Sequence, residues 1–119
     1  MNNFYITTPI YYVNDRPHIG HAYTSIACDI LARYYKLKNF NVYFLSGTDE
    51  HGQKVEKAST ESKMDTQDFV DKMSVSFREL IPFLGCQIDD FIRTTESRHK
   101  KAAQALWNKL EENNQIYLS

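Results

Sequence analysis

The stretch Tyr5-Ile6-Thr7-Thr8-Pro9-Ile10-Tyr11-Tyr12-Val13-Asn14-Asp15-Arg16-Pro17-His18-Ile19-Gly20-His21 leaves the chain few ways to fold. Residues 3–8 are rich in aromatic and β-branched side chains and read as a strand, apolar enough to be a central one. Pro9 is expected to turn the chain, and Asn14-Asp15-Arg16-Pro17 forms a polar loop. From His18 to about Lys38 the apolar residues Ile19, Ala22, Tyr23, Ile26, Ala27, Ile30, Leu31 and Tyr34 recur at a helical period, so an amphipathic helix follows. The junction is therefore strand, loop, helix N-terminus, with two imidazoles and a glycine at the join. Such a terminus offers unpaired N–H groups and the positive end of the helix dipole, which together favour phosphate. Gly20, without a Cβ, lets a ligand lie close to the backbone. His18 and His21 are three apart and share one side of the first turn, within reach of one anion. By spacing alone the pair is half of a metal site or two solvated histidines, and standing alone the second reading would win.

Downstream the pattern repeats. Val42-Tyr43-Phe44-Leu45 is too short for a helix and reads as a buried second strand, leading into a loop, Ser46-Gly47-Thr48-Asp49-Glu50-His51-Gly52. Strand, crossover helix and parallel strand make a βαβ unit of an α/β, doubly wound, Rossmann-like parallel sheet. Sites in such sheets lie beyond the carboxyl ends of the strands, which brings the His18 and Asp49 loops to one crevice. A short helix is expected over 53–58. Asp65 starts a second amphipathic helix marked by Phe69, Met73, Phe77, Leu80 and Leu84 and closed by Gly85. Phe91-Ile92-Arg93-Thr94 reads as a third strand. Thr94 or Thr95 is expected to cap a last helix with His99, Ala103, Leu106, Trp107 and Leu110 on its apolar stripe, ended by Asn113-Asn114. Ile116-Tyr117-Leu118 then begins an extended segment.

Composition bounds the function. A chain of 119 residues supports one core, and 13% aromatic residues fit a globular chain rather than a disordered one. Fourteen basic against 15 acidic residues give a net charge of −1, and so no general attraction to nucleic acid. Cys28 and Cys86 form no C-x-x-C pair and no zinc spacing, and Cys28, among Ile26, Ala27 and Ile30, is expected to be a buried small hydrophobe. A reduced, cytoplasmic setting fits, with no signal peptide and no membrane-spanning run expected.

The words around the histidines go further. Thr8-Pro9-Ile10-Tyr11-Tyr12-Val13-Asn14-Asp15-Arg16-Pro17-His18-Ile19-Gly20-His21-Ala22-Tyr23-Thr24, followed by Ser46-Gly47-Thr48-Asp49-Glu50-His51-Gly52-Gln53-Lys54-Val55-Glu56-Lys57-Ala58, closely resembles methionyl-tRNA synthetase. His18-Ile19-Gly20-His21 matches the His-Ile-Gly-His signature of class I aminoacyl-tRNA synthetases. The resemblance covers essentially the whole chain but only the N-terminal part of the family's longer protein. It implies a first half of a class I catalytic domain over residues 1–119, with methionine, ATP and Mg2+ as reactants and tRNA(Met) as a partner bound through parts absent here. It further implies that His18, Gly20 and His21 line the ATP phosphates and that the two histidines stabilise charge during activation. Asp49 would bind the methionine ammonium with help from the Ile10 carbonyl, and Tyr12 would close over the thioether. His51 is assigned only to the pocket lining, and no protein metal ligands are expected. Lys72-Met73-Ser74-Val75-Ser76 looks like the second class I signature, Lys-Met-Ser-Lys-Ser, but carries Val75 at the second lysine. Met73 also fits the helical stripe, so the match is read as coincidence. A non-catalytic nucleotide-binding module and an inert truncated fragment are the alternative functions.

Overall fold

The computed structural model describes residues 2–118, and its axis is one long strand. Asn41–Asp49 (β3 in chain order) pairs in parallel along both edges. On one edge lies β1 (Asn3–Thr7), with Thr7 opposite Leu45, and further along the same edge β2 (Tyr11–Tyr12), with Tyr11 opposite Thr48. The other edge pairs with β4 (Asp90–Arg93), Thr48 facing Arg93. Between Thr7 and Tyr11 stand Thr8, Pro9 and Ile10, whereas β3 has only Ser46 and Gly47 there. The extra residue makes a bulge at the proline, whose missing N–H is tolerated where the ladder is interrupted. Pro9 therefore offsets a strand rather than turning the chain.

The helices are α1 (Ile19–Leu37), α2 (Gln53–Glu61), α3 (Thr66–Phe83) and α4 (Ser97–Glu112). Asp65 caps α3 by accepting the Gln67 N–H at 2.8 Å, and Gly85 follows the α3 C-cap at φ 70°, the left-handed conformation glycine adopts freely. The expected second strand, 42–45, is longer than its apolar run. Ser46, Gly47 and Thr48 are buried strand residues, with Ser46 and Thr8 sharing a hydroxyl hydrogen bond at 2.8 Å. A Cβ on Gly47 would sit 2.1 Å from the Ile92 carbonyl oxygen, so only glycine lets β3 and β4 approach here.

One face of the sheet is covered. Phe4 stacks on Tyr35 of α1 at 3.7 Å, and Tyr11 reaches both Ser25 of α1 and Phe77 of α3. Tyr11, Val13, Val55, Phe69, Val70, Phe77 and Phe91 form the main cluster, with Met73 packed against it. The opposite face carries Tyr5 and Tyr43, stacked on each other and well exposed.

Two expected stripes are not core. On α1 the sheet is met by Ala22, Ser25, Asp29 and Ala32, while Ile19, Tyr23, Ile30 and Leu37 face outward. Small side chains let the helix sit close on the strands, and the polar ones are partnered: Ser25 by Tyr11, Asp29 by the Gln87 N–H at 2.9 Å and by Arg33 at 2.6 Å. Cys28 is accordingly only half-buried, at the margin of that contact. On α4 no residue is buried, Leu106 and Trp107 included, and the N-cap is Glu96 without a side-chain cap. Thr94 and Thr95 are engaged elsewhere, as described below. Residues 116–118 form no strand among the described residues.

The Cα radius of gyration, 16.8 Å, exceeds the roughly 13–14 Å of a compact domain of this length. With apolar faces on α1 and α4 open and β1 paired on one edge only, the isolated 119-residue chain is expected to self-associate. Light scattering after size exclusion should show masses above the monomer; a monodisperse monomer contradicts this.

Candidate functional site

The residues singled out above gather at the carboxyl ends of β2 and β3 and at the start of α1. His18 is the N-cap of α1, extended at φ −130° and ψ 177°. Its Nδ1 accepts the Gly20 N–H at 3.1 Å, and His21 Nδ1 reaches back to accept the His18 N–H at 3.0 Å. This is a reciprocal capping box built from two imidazoles in place of the usual hydroxyl and carboxylate. An Nδ1 that accepts carries no proton, so each neutral ring holds its hydrogen on Nε2. The cap thereby sets two Nε2–H donors on adjacent rings, with centroids 3.9 Å apart, at the positive end of the helix.

His21 is held further by aromatic edges, Tyr11 at 4.8 Å and Phe77 at 5.0 Å. Burial, and secondarily the neighbouring His18, push its pKa below the ordinary imidazole value. Gly20 makes room within the cap. A Cβ there would lie 2.9 Å from His18 Cε1, so the space left by the missing side chain is taken by the His18 ring itself.

Tyr12 and Asp49 are direct partners across β2 and β3. Alternation sends Tyr11 to the covered face and Tyr12 to the open one, and likewise Thr48 and Asp49. Asp49 is the last residue of β3 rather than a loop residue, and its carboxylate makes no hydrogen bond or ion pair with the described residues. Gly52, at φ 114°, brings its backbone under the Tyr12 hydroxyl, which would be 2.8 Å from a Cβ there. Ile10, exposed, lies in the bulge just before β2.

A set of residues that the sequence did not single out fastens this loop from behind. The Glu50 carboxylate is buried and accepts from Arg93 Nε at 2.7 Å, Arg93 Nη2 at 3.0 Å, Thr48 Oγ1 at 2.8 Å and Thr95 Oγ1. The Glu50 N–H donates to Thr94 Oγ1 at 2.8 Å, and His51 Nε2 lies 3.3 Å from the Thr94 carbonyl oxygen. His51 is thus anchored to the end of β4. The available signals were Glu50 two residues after Thr48, hence on the same face, and Arg93-Thr94-Thr95 at a strand end.

Among the described residues no group of three or more His, Cys, Asp or Glu side chains is placed to hold a metal ion, which leaves the His18–His21 pair without further ligands for a metal site. A recess of about 540 Å3 opens between Asn14–Arg16 and α2–α3, but none of the predicted site residues lines it. Lys72–Ser76 lies within α3, with Lys72 exposed and Met73 half-buried. No helix of the described residues is long and apolar enough to cross a membrane.

A parallel α/β sheet with a histidine-capped helix N-terminus at its carboxyl edge is a Rossmann-like half-sheet. Residues 4–119 match the family described as tRNA synthetases class I (M), and the chain belongs to that family. It is 60% identical over 116 residues to the methionine–tRNA ligase of Rickettsia conorii, covering 98% of this chain and 23% of that protein. The Bacillus subtilis ligase is 49% identical over 117 residues, with 98% and 18% covered. Mycobacterium tuberculosis methionyl-tRNA synthetase in complex with methionyl-adenylate superposes with a TM-score of 0.96 at 40% identity, covering 100% of this chain and 23% of that one. The chain thus spans under a quarter of the length of each of these relatives.

The lowered pKa of His21 has a sign. A base that binds its proton less readily when folded leaves stability at its full value above the unfolded imidazole pKa of about 6.5 and lowers it as pH falls from there through the lower folded pKa. In an NMR titration of histidine-labelled protein, His21 should titrate below 6.5; a midpoint at or above it contradicts the packing argument.

Proposed function

We propose that residues 1–119 form the N-terminal part of the catalytic domain of a methionine–tRNA ligase, and that they carry the groups that activate methionine. The observation that bears most weight is the imidazole capping box, which leaves an Nε2–H donor on each of two adjacent rings at a helix N-terminus, with Asp49, unpartnered among the described residues, at the end of β3. Methionine's carboxylate attacks the α-phosphorus of ATP, the bond to the bridging oxygen of pyrophosphate breaks, and methionyl-adenylate and pyrophosphate result. No protein nucleophile is needed. His18 and His21 donate to phosphate oxygens as negative charge builds, with the α1 terminus at Gly20 beneath them. Asp49 pairs with the methionine ammonium beside the Ile10 carbonyl, and the Tyr12 ring packs on the thioether. Mg2+ enters with the nucleotide as the counter-ion of its phosphates. The methionyl group passes in a second step to tRNA(Met), for which these residues, at a net charge of −1, offer no general electrostatic attraction. The setting is cytoplasmic.

A chimera in which this chain replaces the matching segment of the Rickettsia conorii ligase tests the reading, with methionine-dependent ATP–pyrophosphate exchange as the assay. Exchange close to that of the parent supports it, and a folded, inactive chimera overturns it. Within the chimera, Asp49→Ala should weaken methionine binding by about 2–5 kcal/mol, the cost of stripping one partner from a desolvated charge pair, and ATP binding far less. Equal losses for both substrates would assign Asp49 to folding.

His18→Ala and His21→Ala should each slow adenylate formation by roughly 10²–10³, with smaller effects on substrate affinity, because their donors meet charge that develops in the transition state. Stopped-flow measurement of the activation step reads this, and an effect confined to KM contradicts it.

A further inference from the structure

Glu50 and Arg93 are more elaborate than folding alone requires. The Glu50 carboxylate is withdrawn from solvent and uses both oxygens on charged and hydroxyl donors from two strands and the turn after β4. Arg93, largely buried, extends a further bond to Asp71 on α3. Replacing such a buried ion pair by apolar residues is often neutral or stabilising, so stability does not explain its presence. Geometry does. Thr48 and Glu50 both point to the covered face, where Arg93 joins them, and this forces the residue between them, Asp49, onto the open face beside Tyr12. The Thr94 N–H donating to the Thr48 carbonyl at 3.2 Å and the Glu50 N–H donating to Thr94 Oγ1 at 2.8 Å fix the peptides on either side of Asp49. The Val13 N–H donating to the Asp49 carbonyl at 3.4 Å holds it from the other edge.

We propose that the Glu50–Arg93 clasp, completed by Thr48, Thr94 and Thr95, is a positioning device for ligand binding, which holds the Asp49 carboxylate in the direction that receives a substrate ammonium group. Neither Glu50 nor Arg93 touches substrate. The clasp ties the ends of β3 and β4 together, so the reach of Asp49 depends on residues that are more than 40 positions downstream and that bond to Thr48 and Glu50 on either side of it.

The proposal rests on Asp49 being the ammonium ligand, and the test separates the two. In the chimera with the Rickettsia conorii ligase, methionine and ATP affinities are measured for Glu50→Gln, Asp49→Asn and the double variant, with thermal unfolding followed alongside. Glu50→Gln is expected to weaken methionine binding roughly tenfold, within the range for coupled neighbours, with ATP affinity changed about twofold or less. In the Asp49→Asn background the same substitution should cost almost nothing, because there is no longer a carboxylate to aim. Full additivity in the double variant, or equal losses for both substrates, overturns the clasp as a positioning device and leaves a structural role. If Asp49→Asn by itself spares methionine binding, the assignment of Asp49 is what fails. Should Glu50→Gln not fold, Arg93→Lys carries the same cycle, since it keeps the charge but loses the two-point grip on the carboxylate. Methionine-selective loss that vanishes with Asp49→Asn again supports the proposal, and additive loss again overturns it.

Discussion

The site depends on β3 being paired along both edges. A parallel strand with partners on each side has no freedom of register at its carboxyl end, and three neighbouring chain segments are brought to one place by that pairing alone. β2 sets Tyr12 against Asp49, and β4 sets Arg93 against Thr48. The bulge at Pro9 lets the first strand offset by one residue before it resumes as β2. Gly47 makes the arrangement possible, since any side chain there would collide with the backbone of β4.

On this frame the two imidazoles cap the helix with one ring nitrogen each and keep the other for a donor. Each Nδ1 closes a backbone donor at the start of α1, and the proton of each neutral ring is left on Nε2 as a consequence. Packing of the His21 ring between Tyr11 and Phe77 restrains its rotation and favours the neutral form that the cap requires, since a proton on Nδ1 would remove the acceptor. α3, which contributes no predicted site residue, reaches the site through Phe77 against His21 and through Asp71 on Arg93.

The open surfaces have a physical reading in the same terms. α1 lies close on the sheet because it presents alanines, a serine and a partnered aspartate inward, and its larger apolar residues are displaced outward. α4 buries nothing, and the Tyr5–Tyr43 face of the sheet is uncovered. Among the described residues, apolar area has been arranged on more than one side of the sheet and covered on one.

The sequence by itself determined the parallel α/β class, the order of the helices and of the three longer strands, and the junction at His18–His21, but neither the short strand Tyr11–Tyr12 nor the run of β3 on to Asp49. These are local signals: period, turn residues and caps act over a few positions. Periodicity could not tell which side of α1 meets the sheet, because a stripe of Ala22, Ser25, Asp29 and Ala32 becomes an inward face only when close packing and the partners Tyr11 and Gln87 are in place. Nor could it show that Thr94 and Thr95 serve Glu50 rather than α4, or that His51 is tied to the end of β4. Those bonds join residues more than 40 apart along the chain, and a buried carboxylate finds its partners only once two strands have paired.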